Sequence, residues 1–536
     1  MGHGAADPPS PTARLARVRN TGLGAALVAT GILASRIAGL VRQRVFTHYL
    51  GVSDAADAFA FAFRVPNLLQ NLLGEGVLSA TFVPVYAGLL ARHDEAEAGR
   101  VAGAVAAILA LGMSALVLVG VLAAPALVAV LAPGFPAEKQ ALATSLVRIL
   151  FPGAALLALS AWALGILNSH GRFLWSYLAP VAWNAAMIAA LLGWGERTGP
   201  DALVRIVAWG SVAGSALQLA VQLPGVLLLC RTLRLSFDAR REGVRATFRS
   251  FGPVVAGRGV TQLSGWLDAV LASLVAPGAV AAMGYAQLLY MLPVSLFGMS
   301  VSAAELPAMA SEFGEADAVA AALRGRLRTA LGRVAYFVVP SAVAFLALGG
   351  HVVALVYQGG RFTAADARWV WAILAGSAIG LVAGTMGRLY ASAWYALRQP
   401  RVPMRVALLR VGLTLAFGLL LAFPVRSALG LAAMWGVAGL TAGAGLAAIV
   451  EFLMLRRSLA ARIGDVRVSA GSLLRLWGMA GVSAGAALGV AALLPGSGPV
   501  VRALLTLGTY GAAYLLLTAA AGVAEANALV ARLRRR

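Results

Sequence analysis

Residues 101–131 read VAGAVAAILALGMSALVLVGVLAAPALVAVL, thirty-one positions without a charged side chain. Folded in water, such a segment has no face to offer the solvent. Hydrocarbon is the alternative solvent, and a helix crosses it with about 20 mostly apolar residues. The rest of the chain follows the same pattern. Of 536 residues, 60% are hydrophobic and 12% charged, against roughly 25% charged in a soluble globular protein. The expected fold is an all-α polytopic membrane protein. Fourteen apolar stretches read as spans: 23–46, 56–73, 101–131, 142–168, 175–194, 203–230, 252–275, 280–305, 330–357, 368–396, 405–423, 429–454, 471–494 and 500–524. Those longer than 25 residues imply tilt, kinks or extension beyond the bilayer.

The polar breaks orient the chain. The net charge is +22, and Lys139 is the sole lysine. The arginines lie between apolar stretches and form no single basic domain, which favours a membrane over nucleic acid as the reason for the charge. Arg231, Arg234, Arg240, Arg241, Arg245 and Arg249 fall between spans six and seven. Arg324, Arg326 and Arg328 lie between eight and nine, and Arg398, Arg401 and Arg405 between ten and eleven. Arg456, Arg457, Arg462 and Arg467 follow span twelve, and the tail carries Arg532, Arg534, Arg535 and Arg536. The opposite breaks are poor: 276–279 has no arginine, 424–428 has only Arg426, and 133–141 has only Lys139. Basic loops collect on the cytoplasmic side, so both termini are expected inside. Residues 1–20 are polar and basic. The apolar run after them continues into an arginine-bearing helix without a clean cleavage site, and reads as the first span.

The expected organisation is a cytoplasmic tail (1–22), an N-lobe of six spans (23–230), a basic linker (231–251), a C-lobe of six spans (252–457), two further spans (458–524) and a basic tail (525–536). A faint internal repeat supports two halves. Gly51 lies fifteen residues before Pro66, and Gly278 fifteen before Pro293. Each is followed by a second hydrophobic-Pro pair, Val83-Pro84 and Leu306-Pro307. Repeats of this kind build transporters.

Charges inside spans are costly and usually functional. In span one, Ser35, Gly39 and Arg42 share a face at i, i+4, i+7, flanked by Arg36. In span two, Asp57, Arg64, Asn71 and Glu75 are spaced seven, seven and four apart and form a narrow stripe. Pro66 is expected to interrupt this helix and offer a hinge. Two readings stand for each end: Asp57 is a helix cap or a gate at the outer mouth, and Glu75, beside Gly76, is a helix end or a gate at the inner one. Span seven carries Arg258, Gln262 and Asp268. Span eight carries Gln287 and Glu305, eighteen residues apart and so expected on one face. Arg388 and Arg410 read as snorkelling near the cytoplasmic interface. No G-x-x-x-x-G-K-[ST] occurs and the five histidines are scattered, so neither a P-loop ATPase nor a metalloprotease is indicated. Cys230, the single cysteine, excludes an intramolecular disulfide and reads as a small buried apolar side chain. No metal and no cofactor are expected.

The tracts 33–51, LASRIAGLVRQRVFTHYLG, and 54–84, DAADAFAFAFRVPNLLQNLLGEGVLSATFVP, resemble the N-terminal signature of the MurJ/MviN family, the peptidoglycan lipid II flippases. LVYQGGRFT at 355–363 and RLYASAWYALRQPRVPMRVAL at 388–408 are similar to that family's middle. The resemblance implies alternating access, two six-helix lobes around a cationic cavity and a lipid-tail groove on the last two helices. It implies Ser35, Arg36, Gly39 and Arg42 in the cavity, and Asp57, Asn67 and Glu75–Gly76 on the second helix. The implied cargo is lipid II, whose pyrophosphate suits bidentate arginines. Gln43, Gln70 and the Ala286-Gln287-Leu288 tract depart from the family pattern, and two expected arginines are absent. Arg64 and Arg258 are the candidates to replace them. The polar residues that form a sodium site in some members are not recognisable in span eleven, so the coupling ion stays open; coupling to the membrane potential or to a monovalent cation is the expectation. The implied setting is the bacterial inner membrane, with lipid II and membrane lipids as partners, no nucleic acid, and a monomer. An exporter of another lipid-linked oligosaccharide, a drug/cation antiporter of the same superfamily, and a precursor-binding scaffold that does not transport remain alternatives.

Overall fold

The computed structural model describes residues 31, 33–302, 305, 309 and 316–534. The tail 1–22, the start of the first span and Pro307 lie outside the described residues. The described chain is helical: α1 (33–50), α2 (Asp54–Leu73), α3 (Glu75–Ala91), α4 (Glu95–Leu131), α5 (Ala137–Ser169), α6 (Phe173–Trp194), α7 (Pro200–Leu229), α8 (Glu242–Val275) and α9 (Ala279–Pro293). There follow α10 (Ala316–Ala347), α11 (Gly349–Tyr357), α12 (Ala364–Ile379), α13 (Leu381–Ala396), α14 (Arg401–Leu420), α15 (Gly436–Ile463), α16 (Ala470–Ala492), α17 (Pro499–Ala520) and α18 (Ala524–Arg534).

The chain is a polytopic α-helical membrane protein. Ten described helices are long and apolar enough to cross a membrane. The pair α12–α13, bent by 41°, makes eleven. Length and composition thus support ten or eleven spans among the described residues, where the sequence suggested fourteen. The described parts of the stretches read as spans one, five and seven are helical too, as α1, α6 and α8. Apolar side chains cover the outside: on α4 alone, Leu118, Leu122 and Val130 are each more than 60% exposed. In water so much exposed apolar surface would drive association, whereas lipid solvates it.

Three local expectations change. Pro66 does not break its helix, since α2 runs on to Leu73. The break comes at Gly74, whose N–H still donates to the Gln70 carbonyl at 2.7 Å. Helix resumes at Glu75 and continues to Ala91, so Glu75–Gly76 marks an interruption within one long span. Proline loses a single donor, which a membrane helix tolerates. The ninth span read at 330–357 is two helices, because α10 stops at Ala347 and α11 begins at Gly349. In the eighth span, a π-helical turn over Val294–Met299 follows Pro293. Its i→i+5 bonds change the register within the span from that of an uninterrupted α-helix.

The contacts divide the chain into two compact units. One holds the chain through Tyr49, Ala58–Ala132 and Pro136–Trp266. The other holds Leu50–Asp57, Pro133–Phe135 and Leu267–Arg536. In the first, α5 packs on α4 and α7, and α7 on α6. Trp162 on α5 donates to the Ala102 carbonyl of α4 at 3.1 Å. A buried seam joins α5 to α7: Ser160 donates to Gln222 Oε1 at 2.7 Å, and Gln218 donates to Ser160 Oγ at 2.9 Å. Between membrane helices, side-chain hydrogen bonds and close packing replace the hydrophobic drive that works in water. In the second unit, α15 packs on α12, α13 and α14. A Cβ on Gly380 would lie 2.5 Å from Gly445 Cα, so the bend between α12 and α13 depends on two backbones meeting without side chains.

Candidate functional site

Each unit holds polar groups among its apolar helices. In the first unit they gather around Arg42. Its guanidinium carbon lies 5.1 Å from the Trp183 ring and 5.9 Å from the Phe63 ring. The two rings stack at 5.8 Å. Arg42 Nη1 also approaches Met187 Sδ at 3.9 Å. Among the described residues no carboxylate pairs with Arg42. Aromatic faces hold a cation through their quadrupoles, by about 0.5–2 kcal/mol, and leave its N–H groups available. Trp183 is fixed in turn by donating to the Ser211 carbonyl at 3.1 Å. Gly214 lets α7 come close, since a Cβ there would stand 2.8 Å from the Trp183 carbonyl.

Beside this cation, Phe63, Asn67, Gln70, Trp183, Ser211 and Ser215 line one small cavity. Arg42 and Asn67 therefore share an aromatic wall, as a common site requires. Asn184, missed from the sequence, is buried on α6. Its amide donates to the Pro180 carbonyl at 2.8 Å, while its Oδ1 has no hydrogen-bond partner. A Cβ on Gly39 would lie 4.0 Å from that oxygen. An asparagine in the apolar run of α6 was the available signal.

The other first-unit candidates are more dispersed. Arg36 is exposed on α1, and Ser35 is half-buried. Arg64 is half-buried and donates to the Gly265 carbonyl at 3.3 Å. Asn71 is exposed, and Gly76 is half-buried on α3. The side chains of Glu75, Arg258 and Gln262 lie outside the described residues.

In the second unit the start of α2 is locked down. Asp57 is fully buried, and its carboxylate accepts from Gly278 N at 3.1 Å and from Ala281 N at 2.8 Å. It therefore caps α9, where the sequence reading offered a cap on its own helix or a gate at the outer mouth. An anion at a helix N-terminus meets unsatisfied N–H groups and the positive end of the dipole. Tyr285 on α9 donates to the Gly51 carbonyl at 2.9 Å, and Tyr357 donates to the Tyr285 carbonyl at 3.1 Å. The glycines of the internal repeat meet here. Gly51 has φ +55° and Gly278 φ +79°. A Cβ on Gly51 would stand 2.6 Å from the Arg361 carbonyl, and one on Gly278 2.8 Å from Val52.

The second unit also holds an ion pair that the sequence reading missed. Arg410 Nη1 lies 2.8 Å from Glu451 Oε2, joining α14 to α15. Arg410 is nine residues into α14, roughly 13 Å along the helix, and its side chain is partly exposed. Asp268 is half-buried on α8, Gln287 is exposed on α9, and Glu305 is half-buried. Among the described residues, no three His, Cys, Asp or Glu side chains gather as a metal-binding set.

A family model described as lipid II flippase MurJ matches residues 46–508. The lipid II flippase MurJ of Burkholderia cenocepacia is 31% identical over 386 residues, covering 70% of this chain and 73% of its own. The probable lipid II flippase MurJ of Rhizobium tropici is 32% identical over 390 residues, 72% of each chain. A solved structure of lipid II flippase MurJ in an inward closed conformation is similar at a TM-score of 0.72 and 21% identity, over 92% of this chain and 98% of that one. An inward-facing multidrug-resistance MATE-family transporter of the MOP superfamily reaches 0.61 at 17% identity, over 80% and 95%. At such identities the two structures speak to the fold.

Proposed function

Because the chain belongs to the lipid II flippase MurJ family, we propose that it moves lipid II from the cytoplasmic to the outer leaflet of the bacterial inner membrane by alternating access. The observation that carries this reading is Arg42, an arginine held over two aromatic rings with no carboxylate partner among the described residues. A pyrophosphate supplies the anion that such a group lacks. Each hydrogen bond to a charged group contributes about 1.5–3 kcal/mol, and a guanidinium binds phosphate oxygens bidentately.

In this reading Arg36, Arg42, Arg64 and Arg258 receive the pyrophosphate, with Ser35, Gly39, Asn67, Asn71 and Gln262 around them. Asp57 serves the outer gate and Glu75–Gly76 the inner one. The bonds from Asp57 to α9 support the first of these roles, because opening the outer mouth has to release them. Asp268, Gln287 and Glu305 are further polar candidates. Both termini lie in the cytoplasm, as the basic loops favour. The protein acts as a monomeric transporter with no cofactor, driven by the membrane potential or a monovalent cation.

The test is complementation. In a strain depleted of its own flippase, Arg36→Ala and Arg42→Ala are expected to insert normally and to fail to restore growth. Full rescue by both would refute the assignment of the site.

A further inference from the structure

Away from the groups just described, the second unit contains a cavity of about 820 Å³. Its walls come from α10, the 464–469 connection, the start of α16 and the turn between α17 and α18. The mouth is cationic, with Arg328, Arg467 and Arg475 among the lining residues. Two carboxylates accompany them, Asp465 and Glu525. Arg467 pairs with Asp465 at 2.8 Å. Among the described residues Arg328 and Arg475 have no ion-pair partner, and both are exposed. Three guanidiniums against two carboxylates leave one positive charge. The start of α16 adds donors: Ser469 caps the helix by accepting from Ser472 N at 3.1 Å, and its hydroxyl donates to Ser472 Oγ at 2.8 Å. That leaves the Ser472 hydroxyl proton to point elsewhere. Just below the mouth, Leu476, Met479 and Ala335 make an apolar floor.

The frame is fixed before any ligand arrives. Tyr390 donates to the Val466 carbonyl at 2.6 Å, and Arg324 donates to the Ile463 carbonyl. The connection is therefore tied to the helix layer just before Asp465, at Ile463, and between Asp465 and Arg467, at Val466. We propose that this cavity binds the phosphodiester headgroup of an anionic phospholipid, with Arg328 and Arg475 on the phosphate and the glycerol region over Leu476 and Met479. Basic pockets between membrane helices take anionic lipid headgroups in general. The single surplus charge suits a phosphodiester monoanion, and the apolar floor suits a lipid better than a free ion. The chain's own tail, with Arg532, Arg534, Arg535 and Arg536, has the wrong sign to fill it. The inference does not depend on which cargo the transporter carries.

The test uses the full chain in a neutral detergent and native mass spectrometry with added dioleoylphosphatidylglycerol. The wild type is expected to bind one such lipid about tenfold or more tightly than Arg328→Gln/Arg475→Gln, since losing charge-assisted hydrogen bonds has at least that effect. Arg398→Gln, outside the cavity, is expected to match the wild type. Equal phosphatidylglycerol binding by wild type and double variant overturns the proposal, and so does an Arg398→Gln loss of the same size. Wild-type binding of dioleoylphosphatidylcholine as tight as that of phosphatidylglycerol overturns the requirement for net charge. Inorganic phosphate that binds the wild type alone and displaces the lipid completely would make free phosphate the ligand, and overturns the lipid assignment.

Discussion

Asp57 and Ala281 are 224 positions apart, yet the carboxylate of one accepts the backbone N–H of the other at 2.8 Å. The second carboxylate oxygen takes the Gly278 N–H. Two backbone donors at the start of α9 are therefore satisfied by the start of α2. Asp57→Ala leaves two buried N–H groups without that acceptor and is expected to cost about 1–3 kcal/mol. A lower unfolding temperature in detergent checks this. Asp57→Asn keeps one acceptor oxygen and should fall between the two. An unchanged Asp57→Ala melting temperature would show that the cap contributes nothing.

The Arg410–Glu451 pair makes a different prediction, because Arg410 is partly exposed. Removing one partner of a fully buried pair costs about 3–5 kcal/mol; partial exposure should reduce this to roughly 1–3 kcal/mol for Glu451→Ala. Arg410→Leu/Glu451→Leu is expected to recover most of the loss, since no unpaired charge remains. The readout is a double-mutant cycle of thermal stability. A double variant as unstable as the two singles added together would rule out coupling.

Trp183 positions Arg42 without belonging to the charge it offers. Trp183→Phe keeps an aromatic face, whereas Trp183→Leu gives up the cation–π contact, about 0.5–2 kcal/mol. In the depletion strain, Trp183→Phe is expected to support growth better than Trp183→Leu at matched protein levels. Equal growth would remove Trp183 from the account.

Cys230 follows the last residue of α7 and is buried. Burial pushes its thiol pKa up; a Tyr86 hydrogen bond opposes this, and the charge of Glu95 adds to it. The thiol is therefore protonated near neutral pH, and the thiolate is the reacting form. Maleimide labelling of the folded protein at pH 7 should be slow, and should speed up on unfolding. Fast native labelling would contradict the burial. Slow labelling leaves a nearly silent background for a cysteine placed at Asn71, whose accessibility reports on alternating access.

The features legible in the sequence were those set by local chemistry. The charge-free run 101–131 required lipid, and α4 covers it. Gly51 and Gly278 stood out by matched spacing, and both take a positive φ at the entry to a helix. Asp57, Arg64 and Asn71 keep their seven-residue spacing because α2 stays helical through Pro66. Features that depend on distant partners were hidden. Glu451 is a lone carboxylate on α15 and could have been singled out, but no spacing rule links it to Arg410 on another helix. The π-helical turn after Pro293 follows from how a backbone re-pairs around one missing donor, which residue types alone do not determine. Trp183 beneath Arg42 needs α1 and α6 in contact, 141 positions apart in sequence.

The seam of Ser160, Gln218 and Gln222 has a consequence for biogenesis. α5 enters the membrane first, with a lone hydroxyl that can turn back onto its own helix. α7 enters two helices later with two primary amides that hydrocarbon cannot solvate. Ser160 is already waiting, so the amides pair on arrival and α5, α6 and α7 close as a trio during synthesis. Gln222→Leu removes the acceptor of the Ser160 hydroxyl, so it should leave less chain correctly inserted per round of translation, and an unchanged or higher yield would contradict that order of events.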